Sequence, residues 1–386
     1  MLKQDLNRNI ICKYSSLEND YLFYTTGNAN SLLTKDNLKE LIDVYRDLIS
    51  QCLFSFEKWI FKYEITMISS SYFLYLSSGD DFKRDELHLM IKIIVDAVDK
   101  FIPVVWQSSI HNYLDCNQHW SDIQTKLYEE VYAAINGTNL AMEINVPIIL
   151  NQELSSQLVH EAFGHTSEAD NYIQYCEGSQ FQLGHTWANY KLNVYDNPLL
   201  SGYRGSYEYD HEGNKAKPTQ IIKNGVWNEL LYDKKTAEQL GVKHSSNARR
   251  TIFSNIIMPR MSVIYLEAGE CDIQDIISNI EYGVYCFGTW GGGSLGHNFI
   301  IRPSFGKYIK GGKITNEIIR KFDIKGSKFD FISRIDNVSN DLMMFDPYFG
   351  CNKNEKYDLP VSQGSPTISV SSYPLIPIND GGKNGR

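Results

Sequence analysis

The sequence predicts an α+β chain, with a mixed N-terminal domain over residues 1–144 and a largely antiparallel-β C-terminal domain over 145–386 that carries a metal site. Three observations predict it. Helical periodicity alternates with β-rich runs in the first part. A short, fully apolar run, Val146-Pro147-Ile148-Ile149-Leu150, has the character of a buried strand and leads into a helix. From Leu192 onward strand-like runs alternate with turn signals such as Asp196-Asn197-Pro198, His211-Glu212-Gly213-Asn214 and Lys310-Gly311-Gly312.

In chain order, Thr34-Lys35-Asp36-Asn37 caps a helix predicted from about Leu38 to Phe56, with Leu41, Ile42, Tyr45, Leu48 and Ile49 on its apolar face. Ile65 to Leu76, rich in β-branched and aromatic residues, reads as one or two strands ended by Ser78-Gly79-Asp80. Helices are expected over Asp85–Phe101, stopping before Pro103, and over Ile123–Ala134. His88, His111 and His119 read as ordinary surface or helix-face histidines. Asn151 caps the helix after the buried strand, and Leu154, Leu158 and Ala162 fall on one face at a spacing of four. Ile221 to Trp227 is a hairpin candidate because Asn224-Gly225 accepts the left-handed conformations its turn demands. Asp233–Leu240 and Asp272–Asn279 are the only clear helices expected after Leu192, and the tail 379–386 reads as disordered.

The helix after Asn151 contains Gln157-Leu158-Val159-His160-Glu161-Ala162-Phe163-Gly164-His165, with Glu168 and Asp170 close behind. Two histidines and a glutamate at this density are what hydrolytic zinc chemistry requires: imidazoles hold the metal and a carboxylate takes a proton from water. The competing reading is two unrelated surface histidines. The spacing His-Glu-x-x-x-His is one residue longer than the common zincin motif, and on a regular α-helix residues five apart are rotated by roughly 140°. Either the helix carries a π-bulge here, or it breaks at Gly164 and His165 swings back. A third ligand is needed, and Cys351 stands out by its loop context, Asp346-Pro347-Tyr348-Phe349-Gly350-Cys351. A His160–His165–Cys351 set suits zinc and is also compatible with Fe(II).

Composition narrows the function classes. A net charge of -9 argues against nucleic acid or an anionic membrane surface as the main partner. Asp96 and Asp99 interrupt the longest apolar stretch, and Met1 to Asp5 leads into no apolar core of signal-peptide type, so neither a span nor a leader is expected. Seven cysteines with no paired spacing predict a reduced, cytoplasmic protein, six of them serving as small packing residues. The glycine-rich stretch Phe287 to His297 lacks the Lys-Ser/Thr of a phosphate loop, which disfavours nucleotide binding. A blue-copper site is disfavoured because Glu161 beside His160 would have no purpose there.

From about Val146 to Pro377 the chain resembles the TldD/PmbA family of metallopeptidases, on the TldD side. The resemblance runs through Leu158 to His165 with Glu168 and Asp170, then Tyr203-Arg204-Gly205-Ser206, Ile222 to Gly225 and Asn247-Ala248-Arg249-Arg250. It continues through Met258 to Ser262, Tyr265 to Gly269, Asn340-Asp341-Leu342, Gly350-Cys351 and Leu359 to Thr367. It implies a zinc held by His160, His165 and Cys351, Glu161 as general base, an unfolded or modified peptide as substrate, and a homodimer or a heterodimer with a PmbA-like subunit. Two departures stand out: little before residue 125 matches, and the stretch 287–297 diverges. They leave two alternatives, a metal-dependent tailoring enzyme and a non-catalytic subunit. For the oxyanion that peptide cleavage develops, His185, His211, His297, Arg204 and the tyrosines are unranked candidates.

Overall fold

The computed structural model describes residues 2–16, 18–26, 34–54, 60–76, 81–97, 100–110, 120–188, 191–251, 256–347, 350–353 and 359–378. Its N-terminal part comprises β1 (Leu2–Ser15), β2 (Asp20–Thr26), helix α1 (Lys35–Phe54), β3 (Ile60–Leu76), β4 (Asp81–Ala97), β5 (Lys100–Ile110) and helix α2 (Trp120–Asn136). The five strands form one antiparallel sheet in the order β2-β1-β3-β4-β5. Thr34 caps α1 as expected: Asn37 N–H donates to Thr34 Oγ1 at 3.2 Å and Thr34 N–H donates to Asn37 Oδ1 at 3.1 Å. Ile42, Tyr45 and Ile49 of α1 and Ile123, Leu127 and Val131 of α2 bury against Ile65 and Met67 of β3 and Leu87 to Ile93 of β4.

The helix expected over Asp85–Phe101 is a correction: residues 85–97 belong to β4 and 100–101 to the start of β5. Glu86, Leu87, Met90 and Lys92 are helix formers, but Leu87, Leu89, Ile91 and Ile93 all point into the core, a period of two that tertiary pairing enforces. His88, on the other face of β4, is buried rather than on the surface or a helix; burial and the nearby Arg204 hold its imidazole well below its ordinary pKa. His111, His119, Cys116 and the tail 379–386 lie outside the described residues.

The remainder comprises β6 (Thr138–Asn139), β7 (Ile144–Leu150), α3 (Gln152–Leu158), a π-helical turn (Val159–Gly164), α4 (His165–Ser167) and α5 (Ala169–Tyr175). Then come β8 (Val194–Asp196), β9 (Thr219–Lys223), β10 (Val226–Trp227), α6 (Lys234–Leu240), β11 (Ala248–Arg249), β12 (Met258–Pro259), β13 (Val263–Leu266) and α7 (Ile273–Ser278). The chain continues through β14 (Tyr282–Phe287), β15 (Gly292–Leu295), β16 (Asn298–Ile301), β17 (Phe305–Lys310), β18 (Lys313–Arg320) and β19 (Phe322–Ser327). It closes with α8 (Lys328–Ser333), β20 (Ile335–Val338), β21 (Met343–Phe345), β22 (Ser362–Ser365) and β23 (Ile368–Pro377).

One sheet runs β15-β16-β19-β23-β7-β14-β17-β18-β6, with β20 on β23; a second runs β10-β9-β8-β13-β22-β21. Pairing is mostly antiparallel, the exceptions being β7 with β14, β6 with β18 and β13 with β22. The β9–β10 turn is the predicted hairpin, with Asn224 and Gly225 at φ 50° and 80°. Helix α8, capped by Ser327, adds to the two helices expected in this half. The helical run from α3 to α4 lies between the two sheets, packing on β7, β14 and β16 of the first and β13, β21 and β22 of the second. No helix among the described residues is long and apolar enough to cross a membrane.

Candidate metal centre

Asn151 Oδ1 accepts from Leu154 N–H at 3.1 Å and starts α3, while Leu154, Leu158 and Ala162 are fully buried on the predicted face. Of the two geometries open to the motif, the structure takes the π form. His165 N–H donates to His160 C=O, five residues back, so the turn is widened by one residue and His165 returns to the side of His160. The two rings stand 5.0 Å apart, edge to face at 80°. Gly164 allows the close approach behind them: a Cβ there would lie 2.0 Å from Met261 Sδ and 3.0 Å from Ile264 Cδ1. Phe163 stacks on Trp187 at 5.2 Å and anchors the turn in the core.

Cys351 arrives from the segment between β21 and β22. Its backbone pairs with Leu359 in both directions, at 2.7 and 3.0 Å, and Gly350 is needed because a Cβ would meet Leu359 O at 2.0 Å. The fully buried Arg260 guanidinium donates to Cys351 C=O. The donor atoms of His160, His165 and Cys351 lie within 4.8 Å of one another, all three buried. Cys351 Sγ is 3.3 Å from His165 Nε2, and His160 Nδ1 is buried with no hydrogen-bond partner among the described residues. Two imidazoles and one thiol sulfur form a soft, three-donor set that fits zinc.

Electrostatics around the sulfur point the same way. Burial pushes the Cys351 thiol up, but His165, His160 and Arg260 outweigh it and hold it well below its ordinary value. Burial opposes a charged His165, yet Cys351 and Glu168 hold its imidazole well above the usual range. A metal takes a thiolate and a neutral imidazole, so binding to this set displaces a proton. His165 Nδ1 donates to Glu168 Oε2 at 2.9 Å, the carboxylate–histidine arrangement that fixes a ligand's tautomer. Glu168 is fully buried and also takes Lys353 Nζ at 2.9 Å and Asn171 Nδ2 at 3.1 Å, with Arg260 Nε at 3.8 Å. Burial would raise its carboxyl, but Lys353, His165 and Arg260 hold it far below the usual carboxylate range. One carboxylate therefore orients His165 and, through Lys353 and Arg260, anchors the Cys351 segment.

Glu161 sits on the π turn with Oε2 4.0 Å from His165 Nε2. Gln157, one turn earlier, donates to Glu161 Oε1 at 2.9 Å, and its own carbonyl accepts from Gln363 of β22 at 3.2 Å. His160, Glu161, His165 and Cys351 open on one cavity of about 870 Å3, whose lining also includes Gly291 to Gly296, Lys328 and Glu130 of α2. The four oxyanion candidates are elsewhere. Arg204 donates to Pro347 C=O at 3.1 Å, His297 bonds Tyr175 C=O at 2.9 Å, His185 stands edge-on to Phe181 at 5.2 Å, and His211 Nδ1 accepts from Arg250 N–H at 3.4 Å. Of the tyrosines, Tyr175 alone among the described residues lines the cavity.

Sequence reasoning missed Gln157 as the partner of Glu161, although a spacing of four on a helix was the signal. It missed Lys353, Arg260 and Lys328 for lack of any local signal, their partners being remote in the chain.

Comparison with known proteins now bears on this geometry. The chain is 33% identical over 227 residues to a metalloprotease of Methanothermobacter thermautotrophicus, a match covering 58% of this chain and 48% of the relative. It is 28% identical over 264 residues to a zinc metalloprotease TldD homolog of Saccharolobus solfataricus, covering 68% and 57%. The chain spans about half the length of the curated relatives it matches. Among solved structures, TldE from Thermococcus kodakarensis shares the fold with a TM-score of 0.71 at 14% identity, over 96% of each chain. Residues 143–375 match the family model described as the PmbA/TldA metallopeptidase C-terminal domain, the stretch that brings His160, Glu161, His165 and Cys351 together, and the chain belongs to that family.

Proposed function

We propose that the chain is a zinc-dependent peptidase acting on unfolded or modified peptides, with His160, His165 and Cys351 as ligands and Glu161 as general base. One observation carries the reading: two imidazoles and a thiolate, from segments far apart in sequence, converge beside Glu161 on a single cavity. The relatives' names, metalloprotease and zinc metalloprotease, support the reaction class and the metal. Zinc, when bound, supplies Lewis acidity toward the scissile carbonyl and a lowered pKa for water. The residues of the chain do the rest. Glu161 accepts a proton as the water oxygen bonds to the carbonyl carbon, then passes it to the amide nitrogen as the C–N bond breaks. Gln157, held by Gln363, keeps Glu161 Oε1 occupied, so the other oxygen, Oε2, is the one directed at the ligand side. The PmbA-like partnership implied by the sequence belongs to the same reading.

The test is Glu161→Gln, a change that keeps size in a place where Gly292 leaves no room for more. We expect the variant to retain zinc and to cleave unstructured peptides about a hundredfold or more slowly, the range of a lost general base. Cleavage at the wild-type rate would remove Glu161 from the chemistry and the hydrolytic mechanism with it.

A further inference from the structure

The glycine-rich strand β15 has no role in the reaction as proposed, yet it lines the cavity and packs against the metal helix. It is the edge strand of its sheet and passes directly over Glu161. A Cβ on Gly292 would lie 2.9 Å from Glu161 Cγ and 3.0 Å from both Glu161 Oε1 and Gln157 Nε2. Packing alone gives such a strand little to hold it, since Gly292 and Gly293 carry no side chain and Leu295 is 74% exposed.

The backbone of β15 pairs with β16 from Gly292↔Ile301 to Leu295↔Asn298, and what ties it to the metal helix is Lys328, the first residue of α8. Its side chain is buried, and Nζ donates to Ser294 Oγ at 2.6 Å, Gly296 C=O at 2.8 Å and Thr166 Oγ1 at 2.8 Å. All three ammonium protons are therefore used, two on β15 and its following turn and one on the residue after His165. The acceptors are hydroxyls and a carbonyl; Glu161, Cys176 and Glu168 act on the charge only through space. Burial brings the amine down to about 8. An amine buried at this disadvantage, where an apolar chain of similar length would fill the space, is retained for the bonds it makes.

We infer that Lys328 is a positioning residue: it locks the Gly292–Gly296 strand to the metal helix and so holds Gly292 against Glu161 and Gln157, at the edge of the cavity in which substrate lies. This rests on the peptidase reading for its effect on rate, whereas the lock itself is a property of the fold. A displacement of about 1 Å at a reacting centre is enough to slow catalysis strongly.

The experiment is hydrogen exchange, zinc analysis and peptide kinetics on full-length, zinc-loaded Lys328→Met. Expected are at least tenfold faster amide exchange across 289–297, unchanged exchange in β7, zinc content as in wild type, and kcat reduced at least tenfold with KM changed less. Ser294→Ala, which removes one strand acceptor, should raise exchange in the same segment to a smaller extent. Unchanged exchange across 289–297 in Lys328→Met, or in Ser294→Ala if the first variant does not fold, overturns the lock. Faster exchange with unchanged kcat and KM overturns the positioning role. A zinc-loaded wild type that cleaves no peptide overturns the peptidase reading and that role with it, while the exchange result still decides the lock.

Discussion

Strands β3 and β4 pair without interruption from Ile60↔Asp96 to Tyr75↔Asp81, and the apolar core residues of β4, Leu87, Leu89, Ile91 and Ile93, follow from counting by twos. The segment from Gln157 to His165 does the opposite. Its helix departs from its own repeat by one residue, and each departure is locked by a contact from elsewhere: Gly164 by Met261, Gln157 by Gln363, His165 by Glu168. The first region needs apolar residues of suitable size at alternate positions, a demand many sequences meet. The second needs particular groups at particular atoms. The comparisons divide along the same line: the family match begins at residue 143, whereas the fold likeness covers 96% of the chain.

That contrast can be broken by substitution, and the largest effect should come from the ligands. Cys351→Ala leaves two imidazoles facing an apolar methyl and should strip the metal, with fold stability falling less than activity because Cys351 is one small member of a large apolar core. Full metal occupancy in that variant, read by elemental analysis, would take the cysteine out of the site. Leu89→Ala, in the fully buried centre of the N-terminal sheet, should lower stability by about 2–5 kcal/mol in denaturant titration. It should leave metal affinity as it was; a loss of metal there would show that the two regions are one cooperative unit.

Glu168→Gln should weaken metal affinity by about 10- to 100-fold, the usual effect of losing the carboxylate behind a histidine ligand. Its pH signature sharpens the point. The Glu168 carboxyl is held far below the ordinary value of a glutamate, so it contributes stability that is fully present above that ordinary value and is lost as the pH falls. Metal-free wild type should therefore lose more stability than Glu168→Gln on acidification below about pH 5. Parallel curves would mean that Lys353 and Arg260 hold the segment without it.

What the sequence made legible follows the same division. The strand at Val146 to Leu150, the Asn151 cap and the buried face at Leu154, Leu158 and Ala162 are local patterns, and each is found in place. The π turn was legible as a conflict between five-residue spacing and the helical repeat, although spacing alone left a break at Gly164 equally open. Strand β4 was misread because helix-forming side chains masked an alternation that only pairing with β3 makes decisive. Lys328 was invisible because its acceptors, Thr166, Ser294 and Gly296, are 162, 34 and 32 residues away in the chain.

The separation of the ligands has a consequence for the newly made chain. His165 and Cys351 are 186 residues apart, so at synthesis rates of about 5–20 residues per second the chain carries the two histidines without Cys351 for roughly 10–40 s. In the folded chain Cys351 is placed by the segment that leads into β22, which pairs with β13. On the peptidase reading proposed above, a half-made copy therefore lacks its third metal ligand, and with it the proposed chemistry, until synthesis has passed residue 351.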